Sequence, residues 1–223
     1  MQTFDTPAPI SALVHIPAGV VRVVAGDRSD TAVEVRAADA SKKRDVKAAE
    51  QTAVEYRDGV LRVESPTKNQ VLGPFGAVEV TVHLPAGSRV EGKAGAAEVH
   101  TAGRLGDVTF EGAHGTITLD EVAGLHLTAH AGDVTIGRLG GSAEISTQMG
   151  DIRVAEAVRG TVVLRTEAGA ISVGAAHGTS ATLDAGTSSG RIRNSLVNTG
   201  DHRLDIRATT SYGDITAHSV AND

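Results

Sequence analysis

A short glycine-led pattern recurs through the second half of the chain and constrains the fold more than any other feature. The pattern is a glycine, any residue, an isoleucine or valine, a polar residue and, in most copies, an aliphatic residue. It starts at Gly115, Gly132, Gly150, Gly169, Gly190 and Gly213. Alternation of apolar and polar residues is typical of a strand with one buried face. Each copy therefore predicts a strand that follows a glycine corner.

A second strand is predicted before each glycine. Its apolar residues lie seven and five positions ahead of the first four glycines, in the pairs Val108 and Phe110, Leu125 and Leu127, Ala143 and Ile145, and Val162 and Leu164. In the last two copies the strand is predicted two residues further upstream, with Ala181 and Leu183, and Leu204 and Ile206. A third inward position is predicted at Val122, Leu139, Ala157 and Ala176. Each repeat therefore contains two strands and two tight corners.

None of these repeats can bury its apolar face alone, whereas stacked repeats join their apolar residues into continuous columns. The predicted fold class is therefore all-β, a single-stranded β-solenoid. We expect a right-handed β-helix of about six coils, with repeats of 17 to 23 residues. One buried column should contain Ile117, Val134, Ile152, Ile171 and Ile192, stacked in chain order. A propeller, a leucine-rich repeat and a left-handed hexapeptide helix are disfavoured by repeat length or consensus.

Residues 1–87 lack the repeat and predict a β-rich cap, with the solenoid spanning 88–223. A cap would cover the open strand edges at one end of the stack. Strands are predicted at 10–16, 20–25, 32–36, 53–56, 60–64 and 78–84, and turns at 17–19, 58–59 and 85–87. The one helix candidate is 41–51, with Ser41 as its N-cap, and 67–76 is predicted to be a loop.

Composition excludes several classes of function. Aromatic residues are 2% of the chain and tryptophan is absent, which argues against a stacking platform for sugars or bases. The 21 basic residues against 27 acidic ones provide no basic field for nucleic acid. The absence of cysteine excludes disulfides, thiolate metal sites and a cysteine nucleophile. Because the first ten residues lack secretory-signal features and no long apolar run follows, we expect a cytoplasmic location without direct membrane insertion.

Aspartates that directly follow a glycine include Asp107, Asp133, Asp151 and Asp214, and the last three follow repeat glycines. Calcium-binding solenoids use a repeated aspartate of this kind, together with flanking glycines. Here those glycines are absent, and the same column contains Thr116, Ala170 and Arg191. The pattern therefore favours aspartates that cap corners by accepting backbone hydrogen bonds, and it predicts no metal and no calcium requirement.

One arrangement is a candidate metal site and two are candidate catalytic sites. His126 and His130 are four residues apart, about 13 Å along a strand, which is too far for one ion. His130 and Glu167 share a column two coils apart, about 10 Å, with Gln148 between them. Ser188 is the centre of a GxSxG sequence, but a strand follows it instead of the required helix, and His130 would be about 14 Å away. The sequence therefore predicts no catalytic residues.

Arginines form one further candidate patch. Arg153 and Arg193 share an outward column, and Arg165 and Arg191 lie nearby, so a weak anion site is conceivable. Acidic residues are interspersed among them, which favours a mixed, solvated face instead.

The serial GDI and GDV strands, the segment SKKRDVKAAEQTAVEY and the closing GRIRNSL and TSYGDIT segments resemble a bacterial family frequent in actinobacteria. It is the domain-of-unknown-function family labelled "putative adhesin", with repeated β-strands. The resemblance spans nearly the whole chain and implies a β-solenoid of the toast-rack kind. It also implies a role in envelope stress or surface display, and it supplies no catalytic residues.

Together these observations predict a non-enzymatic β-solenoid that acts as a scaffold or recognition module for a protein partner, without a cofactor. Two alternatives remain open. One is a solenoid carbohydrate-active enzyme or an adhesin, and the other is a homo-oligomeric filament subunit that stacks through open strand edges.

Overall fold

The computed structural model describes residues 1–66, 76–201 and 203–221, apart from the side chain of Ala113. Strands dominate the described residues, and the fold is all-β and solenoid-like. The chain forms two units, Met1–Thr116 and Ile117–Asp223. The predicted loop at 67–76 lies outside the described residues except for its last residue. The predicted domain boundary at residue 87 stays a prediction.

In the first unit, the long strand β2 organises the sheet. The elements of this unit are β1 (Gln2–Asp5), β2 (Ser11–Gly26), β3 (Asp30–Ala37), α1 (Lys43–Gln51), β4 (Ala53–Arg57), β5 (Val60–Glu64), β6 (Val78–Pro85), β7 (Arg89–Ala102) and β8 (Arg104–His114). Strand β2 runs parallel to β7 on one side and to β5 and then β6 on the other. β8 lies parallel to β7, while β1, β3 and β4 join by antiparallel pairing.

The break between two strands predicted at 17–19 is wrong, because β2 continues through these residues, with Gly19 at a φ of 132°. Pro17 lacks a backbone N–H and leaves a gap of one residue in the pairing with β7. Ile16 and Ala18 on either side of it remain paired with Ala94 and Ala96. The long partner strand therefore outweighs the local turn signal.

The predicted helix is present as α1, but its predicted N-cap is wrong. The N-cap residue is Lys42, which makes no side-chain capping bond. Ser41 instead donates its hydroxyl and its backbone N–H to Asp39, at 2.6 and 2.9 Å. These bonds, together with Lys42, lower the pKa of Asp39 to about 2. The buried Asp45 in the first turn accepts a bond from the N–H of Ala77 and ties the helix to the start of β6.

The second unit consists of parallel, in-register strand pairs joined at glycine corners. Its strands are β9 (Ile117–Ala131), β10 (Val134–Leu139), β11 (Ala143–Met149), β12 (Ile152–Ala157), β13 (Gly160–Ala168), β14 (Ile171–Ala175), β15 (Ala181–Ser189), β16 (Ile192–Ser195), β17 (Leu204–Tyr212) and β18 (Ile215–Ser219). We name each coil by its corner glycine. The Gly150 coil is β11 and β12, the Gly169 coil β13 and β14, the Gly190 coil β15 and β16, and the Gly213 coil β17 and β18.

The coils do not stack in chain order, which corrects the prediction. The column follows the register Ile117, Val134, Ile152, Ile171, Ile215, Ile192. The Gly213 coil is thus inserted between the Gly169 and Gly190 coils, with parallel pairing on both sides. As a result the Gly190 coil lies at the end of the stack.

The apolar content of the two coils explains this order. Along β17 the inward residues are Leu204, Ile206 and Ala208, all buried, whereas β16 has Asn194 where β18 has the buried Ala217. Ile192 is 45% exposed, compared with 1% for Ile152 in the same column. Placing the more apolar coil inside removes more apolar surface from water, which is the dominant favourable term in folding.

Two finer assignments also change. In the last coils the strand before the glycine is not displaced upstream, because Ala208 pairs with Leu164 and with Ala185 in the column five positions before the glycine. The third inward column continues through Ala175, which pairs with Ala157 in place of the predicted Ala176. The other predicted inward positions from Ile117 to Val173 are buried. The right-handed winding and the number of coils stay predictions.

The stack order predicts how stability depends on position within one column. Ile152→Ala should cost roughly 2–5 kcal/mol in the free energy of unfolding, because neighbours on both sides limit collapse of the cavity. Ile192→Ala at the exposed end should cost clearly less, and the outward Thr135→Ala should lie within about 0.5 kcal/mol of neutral. Denaturant unfolding measures all three. Equal losses at Ile152 and Ile192 would contradict the inserted order.

Candidate functional site

Stacked glycines form the corner between the two strands of each coil. They include Gly132, Gly150, Gly169, Gly190 and Gly213, all with positive φ. Gly150 has φ of 132°, and a methyl group on it would overlap the carbonyl oxygen of Gly132 in the coil below. A methyl group on Gly169 would likewise overlap the carbonyl oxygen of Gly150. Only a residue without a side chain fits this corner at the spacing of paired strands.

The corner aspartates form hydrogen bonds between coils. Asp133 accepts a bond from the N–H of Asp151 at 2.9 Å, and Asp151 accepts one from Ala170 at 2.7 Å. Asp214 accepts one from Arg191 at 2.9 Å. Each carboxylate thus binds the equivalent residue of the next coil, rather than its own corner as predicted. This row satisfies backbone donors that the strand pairing leaves open.

A threonine three positions before the glycine completes the corner. Thr166, Thr210 and Thr187 donate their hydroxyls to the carbonyl oxygens of Gly150, Gly169 and Gly213 respectively, at 3.0 to 3.1 Å. Each bond joins a coil to the one below it. Sequence reasoning missed this row, although the spacing threonine, two residues, glycine recurs at each of these corners. The corners are therefore built from backbone carbonyls, carboxylates and hydroxyls that bind one another.

The predicted histidine sites are dispersed along and across strands. His126 and His130 both lie on β9, and His126 pairs with Glu144 at 3.7 Å. Within the described residues no group of three histidine, aspartate or glutamate side chains is placed to hold a metal ion.

The row two positions before the glycine brings the other catalytic candidates into one line. The strand register gives the order His130, Gln148, Glu167, Ser211, Ser188. His130 and Glu167 are two strands apart, about 10 Å, as predicted. Ser188 is four strands from His130, about 19 Å, because the inserted Gly213 coil places Ser211 between Glu167 and Ser188. The register therefore holds these three groups beyond hydrogen-bond reach of one another.

The arginine patch is spread in the same way. Arg153 and Arg193 share an outward column but are separated by Ser172 and Thr216, about 14 Å in total. Arg165 binds Glu144 at 3.2 Å. Inside the coil stack the outward residues near Arg153 are therefore mixed in charge, whereas Arg193 lies on the last coil of the stack.

A charged row crosses four parallel strands of the first unit. The register aligns Glu64 of β5, His15 of β2, Lys93 of β7 and Glu111 of β8. Nδ1 of His15 lies 3.9 Å from a carboxylate oxygen of Glu64. The ammonium of Lys93 lies 3.0 Å from Glu111, and the hydrogen bond and charge of that carboxylate raise the pKa of Lys93. Opposite charges on neighbouring strands stabilise such a row.

This row borders an open groove of about 530 Å³, which we call the His15 groove. Its apolar wall is formed by Ile16, Pro17, Ala94 and Gly95. Nε2 of His15 is buried and has no hydrogen-bond partner among the described residues. Ser65 also lines the groove, but its hydroxyl is within 2.7 Å of that of Thr52, and Ser65 is buried. The groove thus combines an apolar wall with charges of both signs.

Sequence reasoning did not find this groove. His15 and Glu111 lie four positions before Gly19 and Gly115, in the outward column of the repeat. Lys93 has the same place before Ala97, where no glycine marks the corner. Glu64 belongs to a strand outside the repeat, so only the three-dimensional register places it in the row.

The corner bonds predict the effect of removing a single carboxylate. Asp151→Ala removes the acceptor for the Ala170 N–H and should lower the free energy of unfolding by about 1 kcal/mol. Asp184→Ala, an exposed aspartate of the same charge on β15, should change it by less than about 0.5 kcal/mol. Neither protein should melt at a lower temperature in the presence of a chelator. A sharp fall with chelator would restore the calcium hypothesis.

The glycine corner predicts a larger effect. Gly150→Ala combines strained φ with overlap against a backbone carbonyl, and it should cost at least about 2 kcal/mol. Gly186→Ala is the matched control, because an added methyl group there meets nothing within 4 Å. Thermal unfolding of the two variants distinguishes them, and similar stability would refute the steric account of the corner.

In the parts of the chain that the structure describes, no helix has the length and apolar character needed to cross a membrane. None of the curated proteins compared with the chain matches it. A solved structure from Bacteroides fragilis, described as a "putative adhesin", is 15% identical with a TM-score of 0.60, covering 97% of this chain and 95% of that one. Another from Clostridium sporogenes, described as a "putative cell adhesion protein", is 12% identical with a TM-score of 0.43, covering 98% of both chains.

The B. fragilis structure shares the fold of this chain, and at that identity it supports the fold alone. The family model described as Toastrack DUF4097 matches residues 18–223. That range begins within β2, after His15, and includes β5, β7, β8 and every glycine corner of the second unit. The chain therefore belongs to the Toastrack DUF4097 family.

Proposed function

We propose that the chain is a non-enzymatic recognition module, a β-solenoid scaffold that binds a segment of a protein partner in the His15 groove. The scaffold in this proposal is right-handed and has about six coils, as the repeat predicts. The observation that carries the proposal is the row Glu64, His15, Lys93 and Glu111, fixed by parallel strand pairing beside an apolar wall.

The groove offers a partner three kinds of contact. Pro17, Ala94 and Gly95 supply apolar area, which provides most of the favourable free energy of association. Lys93 and Glu111 supply exposed charges of opposite sign, which select orientation and partner more than they add affinity. Because the strands are paired on both sides of β2, these groups need little reordering when a partner binds.

The geometry of the second unit supports recognition over catalysis. General acid–base chemistry requires groups within hydrogen-bond distance of the reacting atoms. The register separates His130, Glu167 and Ser188 by whole strand spacings, and the inward positions are filled by aliphatic side chains. Rows of side chains on paired strands offer contact area and shape complementarity to a protein partner.

Adhesion at a cell surface is a second candidate, favoured by the B. fragilis structure, which is described as a "putative adhesin" and has the same fold. It uses the same groove and rows, and it differs in requiring display outside the cell. The cytoplasmic location expected from the first ten residues stays a prediction.

Selection of displayed peptides against the purified chain tests the groove. Clones that bind the wild-type chain should lose at least about tenfold in affinity when Lys93 is changed to Glu. The substitution replaces the cation at the rim of the groove with a second carboxylate beside Glu111. Arg57→Glu is the matched control, because Arg57 is an exposed cation of the same unit and does not line the groove. Clones that are insensitive to Lys93→Glu would contradict binding in the groove.

A turnover assay tests the enzyme alternative separately. We expect no hydrolysis of glycan or ester substrates by the wild-type chain. Turnover that disappears with His130→Ala, Glu167→Gln or Ser188→Ala would overturn the non-enzymatic proposal.

A further inference from the structure

The end of the coil stack in the second unit exposes a strand edge. Strand β16 pairs with β18 on one side, and no described strand pairs with its other side. Its residues, from Ile192 to Ser195, are all exposed. Successive peptide groups alternate in direction along a strand, so this free side carries unpaired N–H and C=O groups. The inserted Gly213 coil creates the edge by displacing the Gly190 coil to the end.

The edge is basic, unlike the interior coils. Arg191 and Arg193 flank Ile192 on the outward side, and both are exposed without an ion pair in the described part of the chain. Arg191 takes the column that contains Asp133, Asp151 and Asp214 in other coils. The row of carboxylates that accepts N–H groups from the next coil therefore ends in a guanidinium.

We infer that this edge binds an acidic β-strand of a partner protein, in which carboxylates flank an aliphatic residue. In a paired strand, the carboxylates would lie opposite Arg191 and Arg193, where opposite charges stabilise the pair. The aliphatic residue between them would stack on Ile192 at the usual strand spacing of about 4.8 Å and extend the buried column. Addition of a strand to an exposed sheet edge is a general mode of peptide recognition.

Charge disfavours a second copy of the chain as the occupant. Antiparallel self-pairing centred on Ile192 would place Arg191 of one copy opposite Arg193 of the other, and parallel self-pairing would align each arginine with itself. Like charges directly opposite each other destabilise strand pairs. A further copy of the coil would also find a guanidinium where the interior coils supply an acceptor for its N–H.

This extends the proposed recognition function to a second surface and names the chemistry of the partner there, independently of the His15 groove. The probe is a fluorescent peptide with the alternation Thr-Glu-Val-Glu-Val-Glu-Thr, and the readout is its anisotropy. We expect saturable binding to the wild-type chain that weakens as salt is added. The double variant Arg191→Glu with Arg193→Glu should lose at least about tenfold in affinity.

Arg153→Glu is the matched control. Arg153 is an exposed arginine of the same column as Arg193, but β12 is paired on both sides. The affinity of the Arg153→Glu variant for the peptide should stay within about twofold of wild type. Residue 153 lies about 14 Å from Arg193, which is beyond the Debye length at physiological salt. Melting curves of the variants check that each is folded. A peptide N-methylated at alternate residues should not bind, since it cannot pair with the edge.

Four results would overturn the inference. They are no binding to the wild-type chain, equal losses with Arg153→Glu, undiminished binding of the N-methylated peptide, and self-association of the chain that Arg191→Glu abolishes. Lys93→Glu separates this inference from the proposed groove. Peptide binding lost on Lys93→Glu alone would assign the peptide to the groove, which supports the proposed function and refutes the edge site.

Discussion

The stacking of corner glycines is the constraint on which the second unit depends. At each corner the carbonyl oxygen of one glycine occupies the space where a side chain of the next would stand. Two rows of hydrogen bonds surround this contact: aspartates accept N–H groups of the next coil, and threonines donate to the glycine carbonyls below. Because the corner fixes the register, the aliphatic columns and the outward rows follow from it. The same register that builds a continuous core also holds histidine, glutamate and serine side chains at whole strand spacings from one another.

Much of this arrangement could be predicted from the sequence, because the relevant signals are local. The period-two alternation after Gly132 or Gly150 identifies which face is buried, and stacking of equivalents follows from the inability of one repeat to bury that face. The position of the Gly213 coil could not be predicted in the same way. Its place between the Gly169 and Gly190 coils depends on the apolar content of whole coils. The polar Arg193 and Asn194 disfavour an interior position for β16.

The first unit shows where local signals mislead. Pro17 and Gly19 have the composition of a turn, yet β2 passes through them because β7 pairs with it on both sides of the proline. Ser41 has the composition of a helix cap, but its hydroxyl binds Asp39 outside the helix. The His15 groove required register between β5, β2, β7 and β8, and Lys93 lacks the following glycine that marks the column elsewhere. In each case a contact distant in sequence, or a competing local bond, decided the outcome.

The inserted coil has a consequence for the order in which the second unit can fold. Among the described strands, β15 pairs only with β17 and β16 only with β18, so neither has a strand partner until the later strands have been synthesised. The strands from β9 to β14 can pair as they emerge, since each finds its neighbour one repeat earlier. The Gly213 coil can add to the Gly169 coil, and only then does the Gly190 coil find its partner strands. Closure over such a sequence separation is slow compared with sequential addition of coils. The last strands of this unit to pair are therefore β15 and β16, although they precede β17 and β18 in the chain. Until β17 and β18 are in place, the edge of the Gly169 coil is open to non-native pairing.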